Sequence, residues 1–366
     1  MDSTEKGRTT LTSYYSEKGE TPGRWVGSGL AALDMKAGAP VDEVQMRALF
    51  GSGFHPNGEA RLAALPADAT PEQIRQAQRL GAPFQVRRDV TRFQQQVSER
   101  CGAWLAANGL KPGGEVPVDV LAGIRSGLAS EAFAARVGRL PSGLELSTEV
   151  AKLSRNPNTA CAGFDVTFSP VKSVSALWAI APRGIAAQIE EAHNQAVEDA
   201  LGYIEERVLY SRRGAGGVRQ VEVTGLIGTA FTHRDSRAGD PDLHTHVAIA
   251  NKVHTLDGHW LAIDARPLYA GLVSISEVYN TSLEARLVER LGVRFAVESN
   301  RDPGKRGIRE IVGVPALLRE AWSKRRTAIV VREADLAVKF QADHHRPPTP
   351  VEASKLAQRA LSTSDE

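Results

Sequence analysis

Cysteine is nearly absent, with two residues, Cys101 and Cys161, in a chain of 366. Two thiols so far apart support neither a disulfide framework nor a thiolate metal centre, and they suit a reducing compartment. No apolar run approaches the roughly 20 residues that a membrane-spanning helix needs. The opening Met-Asp-Ser-Thr-Glu-Lys-Gly-Arg is polar and holds no signal-peptide core. A cytoplasmic protein without membrane insertion is expected. An excess of one charge is missing too, since 45 Lys and Arg against 43 Asp and Glu leave a formal +2. The chain is therefore no polyelectrolyte, and any nucleic-acid surface must be local. A phosphate-binding Gly-x-x-x-x-Gly-Lys-Ser/Thr loop is also absent, so helicase activity is not expected of it.

What is present is enough apolar material, 42% of residues, to bury a substantial core. No internal repeat is visible. Residues 40–135 read as short helices, among them 71–80 and 90–107; the second carries Phe93, Val97, Cys101, Trp104 and Leu105 at helical spacing. From about residue 160 strands and helices alternate. Phe164, Val166 and Phe168 fall on one face of a strand, with Asp165, Thr167 and Ser169 on the other. Ser169-Pro170 reads as a helix N-cap followed by proline at the first helical position. Helices over 185–207, 274–291 and 317–331 are expected, with a turn at 212–217 and a short strand and loop within 259–268. Strands over 221–232 and 243–251, joined by the turn-rich 234–241, should pair antiparallel. The proline-bearing segment after 343 reads as poorly packed, and 346–366 as a flexible tail.

Three of the nine histidines, His233, His244 and His246, lie within fourteen residues. His244 and His246, two apart on a strand, project side by side, and a hairpin would bring His233 to the same spot. Three imidazoles on one face suit a divalent metal with positions left open for substrate. The plain alternative is a solvated strand face; His254 and His259 read as surface residues. Tyr14 and Tyr15 stand together in a polar setting. A phenol, with a pKa of about 10, is a poor nucleophile near neutrality. It becomes useful when a metal withdraws charge from the phosphate under attack and a base takes its proton. Otherwise such a pair anchors a loop. Asp165 could orient a histidine or act as the base, and Lys172, Arg234 and Arg237 could contact phosphates.

These residues resemble the motifs of MobF-type conjugative relaxases. Tyr14-Tyr15 with Pro22-Gly23-Arg24-Trp25-Val26-Gly27-Ser28-Gly29 resembles the tyrosine motif. Asp165-Val166-Thr167-Phe168-Ser169-Pro170-Val171-Lys172-Ser173-Val174-Ser175 resembles the second, and Phe231 to His246 the histidine motif. They occur in family order across residues 11–330. The resemblance implies an α+β fold of the HUH endonuclease type, a central antiparallel sheet flanked by helices. It would form a relaxase domain over 1–345, with a helical insertion near the N-terminal part at about 50–150. It implies that Tyr14 or Tyr15, with Tyr14 preferred, attacks the scissile phosphate of single-stranded DNA at a plasmid transfer origin. The protein would stay on the 5′ end as a phosphotyrosine intermediate. His233, His244 and His246 would bind a divalent metal ion (Mg, Mn or Zn), Asp165 would assist, and Lys172, Arg234 and Arg237 would be DNA-binding. The protein would be bacterial, with accessory relaxosome proteins and a type IV secretion coupling protein as partners.

The chain departs from the family at its start. Members commonly open on a hydrophobic strand, and some carry an earlier tyrosine pair; the polar start here suggests an N-terminal truncation. The competing readings are a rolling-circle replication initiator, a catalytically inactive DNA-binding remnant, and an unrelated three-histidine metalloenzyme acting on small molecules.

Overall fold

Four antiparallel strands form the central sheet of the structure, a computed structural model that describes residues 22–84, 91–111, 113–154, 160–298 and 307–363. The strands are β1 (Arg24–Val26), β2 (Gly163–Phe168), β3 (Gly228–Asp235) and β4 (Pro241–Ala250), in the spatial order β1-β3-β4-β2. Expectation and structure agree on an α+β fold with this antiparallel sheet. The strand expected over 221–232 is instead two, a short Arg219–Val221 and β3. Gly225, at φ +146°, turns the chain between them.

Alternation along the strands divides the sheet into two faces. Val26, Ala230, Leu243, Val247, Ile249 and Phe168 point into the larger core cluster. Three helices cover that side: α1 (Lys172–Ile180), α2 (Arg183–Arg207) and α3 (Leu272–Leu291). Helix α2 contributes Ile189, Ala192, Ala196, Val197, Ala200 and Ile204, all fully buried. Fully burying an aliphatic side chain of valine size or more is worth about 1.5–3 kcal/mol, so this stripe fixes which face of α2 meets the sheet. On the opposite side Trp25, Phe231, Ala248 and Ala250 join a smaller cluster with Leu30, Leu33, Met46, Leu49 and Phe50. That cluster covers only part of its face and leaves the hairpin end of the sheet to polar side chains.

Helix α1 begins at Lys172, which puts its cap two residues later than the one expected at Ser169. Its N-cap residue, Val171, makes no side-chain capping bond. The Ser173 amide instead donates to Glu310 Oε2 at 2.8 Å, and Ser173 Oγ accepts from the Ile311 amide at 2.8 Å. A distant carboxylate thus performs the capping that Ser169 was expected to supply.

Residues Phe84–Cys161 form a compact unit of their own. It contains helices Arg92–Ala107, Val118–Val137 and Gly143–Leu153, with Phe93, Leu128 and Ala129 at its centre. The helices around 58–78, expected within the insertion, fall in the other unit. The tail differs from expectation as well. Pro350–Thr363 is an α-helix, started by Thr349 and Glu352 in a reciprocal cap. Proline at the first helical position, in a segment expected to be poorly packed, here helps to start the helix. Helix 317–331 is in fact two, Ala316–Ala321 and Lys324–His344, broken at Trp322-Ser323.

The glycines of the Gly27-Ser28-Gly29 motif serve backbone contact. A Cβ on Gly27 would lie 2.2 Å from Leu226 O, and one on Gly29 2.6 Å from Gly225 O. Glu205 Oε1 ties the same two segments together, accepting from the Ser28 amide at 2.8 Å and the Leu226 amide at 3.0 Å. Gly225→Ala is expected to be severe, because its Cβ would sit 1.9 Å from Ser28 Oγ and 2.6 Å from Gly29 N. Urea unfolding should show a loss of about 2–4 kcal/mol. Gly258→Ala, at φ +85° with nothing within 4 Å, should cost only about 1–2 kcal/mol; equal losses would contradict the close-contact account.

Candidate metal and catalytic centre

His233 and His244 stand directly opposite each other across β3 and β4, and His246 follows on the same face, opposite Phe231 and, in β2, Thr167. The ring centres are 5.2 Å (His233–His244), 5.3 Å (His233–His246) and 5.2 Å (His244–His246) apart. The three imidazoles thus form a nearly equilateral triangle. Asp165 of β2 completes the group: its carboxylate oxygens lie 3.0 and 3.2 Å from His246 Nδ1. Thr167 Oγ1 is 3.1 Å from the same nitrogen.

These bonds assign the ring tautomers. His246 donates its Nδ1–H to Asp165, and His244 donates its own to the Asp242 carbonyl at 2.7 Å. In a neutral ring so bonded, Nε2 is the nitrogen that keeps the lone pair. Burial pulls the His244 pKa below the ordinary histidine range, opposed by the Asp242 carbonyl and carboxylate. Its ring is therefore neutral at pH 7. The side chains grow more exposed from His244 (14%) through His246 (24%) to Asp165 (41%), so the group opens to solvent on the β2 side.

The donor set suits a divalent ion. Imidazoles sharing one tetrahedral ion at about 2.0–2.1 Å have ring centres roughly 5 Å apart, which is the separation seen. As the rings are turned, no group of three or more His, Cys, Asp or Glu side chains among the described residues closes on a single ion position. The two observations measure different things. Backbone register and χ1 set the ring centres, whereas χ2 sets where each nitrogen points, and that torsion is broad. The spacing is the part the fold fixes.

The expected DNA contacts divide. Arg234 alternates to the helix side of the sheet, where its Nε and Nη2 each lie 2.9 Å from the Glu190 carboxylate of α2. Arg234 holds Glu190 below the usual carboxylate range, and Trp178 Nε1 also donates to it. Lys172 donates to the Pro241 carbonyl at 2.7 Å and lies 3.6 Å from Asp242. Both cations thus have partners within the fold itself. Strand parity, which was legible, places Arg234 opposite in sense to His233. Arg237 is exposed at the hairpin turn. Tyr14 and Tyr15 lie outside the described residues. The described chain begins at Pro22, and β1 runs antiparallel to β3 with Arg24 opposite Ala230.

Sequence reasoning passed over what lies behind the histidines. His193 of α2 is fully buried, its Nε2 2.7 Å from Thr245 Oγ1 and its Nδ1 2.8 Å from Tyr279 OH. Thr245 Oγ1 is 2.9 Å from Thr232 Oγ1. The signal was a single histidine within an Ile, Ala and Val stripe.

The family model of the TrwC relaxase matches residues 2–363. The chain belongs to the TrwC relaxase family. It is thus a relaxase of the MobF type, and the rolling-circle initiator is not the favoured reading. Two multifunctional conjugation proteins TraI resemble it. That of Escherichia coli is 35% identical over 207 residues, covering 54% of this chain and 11% of the relative. That of strain K12 is 34% identical over the same length, with the same shares. The chain therefore spans only a small part of these relatives. Among solved structures, the relaxase TrwC in complex with mutant OriT DNA superposes with a TM-score of 0.52 at 21% identity, covering 96% of this chain and 85% of that one. A metal-bound TrwC complex with OriT DNA gives 0.50 at 22% identity, covering 97% and 93%. At this identity the likeness establishes the relaxase fold.

Two stability measurements check these placements. Arg234→Ala should destabilise this relaxase by about 1–3 kcal/mol, since it leaves Glu190 half-buried without its cation. A loss within about 0.5 kcal/mol of wild type in urea melts would undo the assignment. The second concerns His193, whose pKa burial lowers from 6.5 to about 3. The unfolded chain takes up this proton below about pH 6.5 and the folded chain does not, so stability falls as pH drops from there toward 3. Between pH 7 and 4.5 this amounts to roughly 2–3 kcal/mol, and His193→Gln should show a correspondingly shallower acid limb.

Proposed function

We propose that this chain cuts one strand of DNA at a plasmid transfer origin and transfers it through a covalent 5′-phosphotyrosyl ester. Family membership supports the reaction class. The observation that carries the site assignment is the triangle of His233, His244 and His246 beside Asp165, on the open face of the sheet. These three histidines would hold a divalent ion, which when bound would draw charge from the scissile phosphate oxygens.

The chain's own groups supply the rest. Tyr14 or Tyr15 attacks phosphorus; the bond to the 3′ oxygen breaks, and a 3′-OH leaves as the phosphotyrosyl bond forms. One phosphodiester replaces another, so the strand can later be resealed. Asp165 keeps the His246 proton on Nδ1, and its exposed carboxylate is also the candidate to take the phenolic proton. Chain length permits the approach: the seven residues from Tyr15 to Pro22 span up to about 25 Å, and antiparallel pairing directs the chain before Arg24 toward the His233 end of β3. Arg237 is a candidate for a phosphate contact at the hairpin, beside Lys172 and Arg234. Accessory relaxosome proteins, a type IV secretion coupling protein and a cytoplasmic location belong to the same proposal. Among the described residues no helix is long and apolar enough to cross a membrane.

The test is to incubate the protein and its Tyr14→Phe and Tyr15→Phe variants with labelled single-stranded DNA from its own genetic neighbourhood and manganese or magnesium. Denaturing gels should show label retained by the protein, abolished by one substitution and by chelator. Asp165→Asn should slow adduct formation by about 10–100-fold with DNA affinity little changed. Tight, specific DNA binding without any adduct would overturn the proposal in favour of a binding-only domain.

A further inference from the structure

An apolar pattern cannot by itself fix the register of the histidine-bearing hairpin. A slip of one residue between β3 and β4 would turn every core side chain outward and is strongly opposed. A slip of two keeps Leu243, Val247 and Ile249 inside, because the side-chain period is also two. The slip that sets His233 opposite Asp242 would nevertheless carry His246 out of reach and dissolve the triangle, and the opposite slip would exchange the places of His244 and His246. Something other than hydrophobicity must reject it.

On the helix side of the sheet the inward residues of β4 are Leu243, Thr245, Val247 and Ile249, and Thr245 is the polar one among them. Opposite it in β3 is Thr232, the hydroxyls 2.9 Å apart. His193 reaches down from α2 to Thr245 at 2.7 Å, and Tyr279 of α3 holds the other ring nitrogen at 2.8 Å. Thr232 precedes His233, and Thr245 lies between His244 and His246. One buried chain of hydrogen bonds thus grips both strands at the residues that flank the three outward imidazoles.

We propose that His193 is the positioning residue of the site, a register key that reads Thr245 and holds His233, His244 and His246 in convergence from the far side of the sheet. A two-residue slip would present Leu243 or Val247 to His193 and leave its ring nitrogen unbonded in a dry core, a penalty that no apolar pair imposes. Burial keeps the ring neutral, with a pKa of about 3, so it can accept at one nitrogen while donating at the other. Tyr279 packs edge-on to the ring, centroids 5.7 Å apart, and also against Phe168 at 5.3 Å. The key is therefore itself held in place. Networks of this kind add specificity more than stability, because an apolar core of the same shape can be as stable.

The inference rests on the reading of the three histidines as a metal site, and cobalt(II) separates the two. Wild type, Thr245→Val, His193→Gln, and an all-apolar variant (His193→Phe, Thr232→Val, Thr245→Val, Tyr279→Phe) would each be titrated with cobalt, followed by its visible absorption, beside thermal melts. Thr245→Val is nearly isosteric and guards against failure of the larger variant to fold. The expected result is cobalt affinity lowered about 10–100-fold, with altered absorption, in Thr245→Val and the all-apolar variant. The all-apolar variant should melt near wild type, and Thr245→Val at a lower temperature but still cooperatively, because its His193 nitrogen loses a partner. His193→Gln, whose amide can bridge both hydroxyls, should recover most of the affinity. Unchanged affinity and absorption in folded Thr245→Val would overturn the proposal while leaving the metal reading intact. A wild type that takes up no cobalt would overturn both.

Discussion

His233 faces His244 across two antiparallel strands, and this one pairing decides whether the protein has a site at all. Strand geometry then puts His246 on the same face, and the pairing of β4 with β2 delivers Thr167 beside it and Asp165 within hydrogen-bonding reach. None of these side chains needs an unusual backbone to be there. His244, His246 and Asp165 lie in regular strand and His233 is the last paired residue before the register of β3 shifts, so the triangle follows from strand pairing. The helices over the opposite face serve this pairing, since they bury Leu243, Val247 and Ile249 and so hold β4 flat against its neighbours.

Polar residues in the motifs turn out to serve the same constraint. Ser175 Oγ accepts from the Leu243 amide at 3.2 Å and Lys172 holds the Pro241 carbonyl, so α1 grips the start of β4 at two points. At the hairpin tip, buried Asp240 accepts from the Lys324 amide at 2.8 Å and ties the turn to the start of a C-terminal helix. Arg234 anchors the end of β3 to Glu190 on α2. A hairpin that only touched DNA could be left free to move. One that sets three imidazoles about 5 Å apart cannot, because their spacing is only as fixed as the strand pairing that carries them.

Much of this was legible before any coordinates. The alternation Phe164, Val166, Phe168 against Asp165, Thr167 gave β2 and its two faces. The turn-formers between Arg234 and Pro241 gave the antiparallel hairpin, and the His-x-His spacing gave the shared face. What stayed hidden depended on partners remote in sequence. The Ser173 amide is capped by Glu310, 137 residues away, so Ser169-Pro170 looked like the helix start. Arg234 and Lys172 looked like free cations because Glu190 and the Pro241 carbonyl cannot be inferred from local pattern. The C-terminal prolines misled for a different reason: Pro350 suits the first turn of a helix as well as it suits a loop.

Where the site opens also follows from the packing. The smaller cluster built on Trp25 and Phe231 covers the outward face at one end of the sheet and stops short of the histidines. Gly23, the residue just before β1, lies flat on Phe231, where a Cβ would fall 2.2 Å from the ring. No side chain fits between the chain before β1 and this aromatic floor, so the path toward Pro22 hugs the sheet instead of arching over it. The glycine in the tyrosine motif and the phenylalanine in the histidine motif are thus two halves of one contact, and that contact is a physical reason for the two motifs to occur together in one chain.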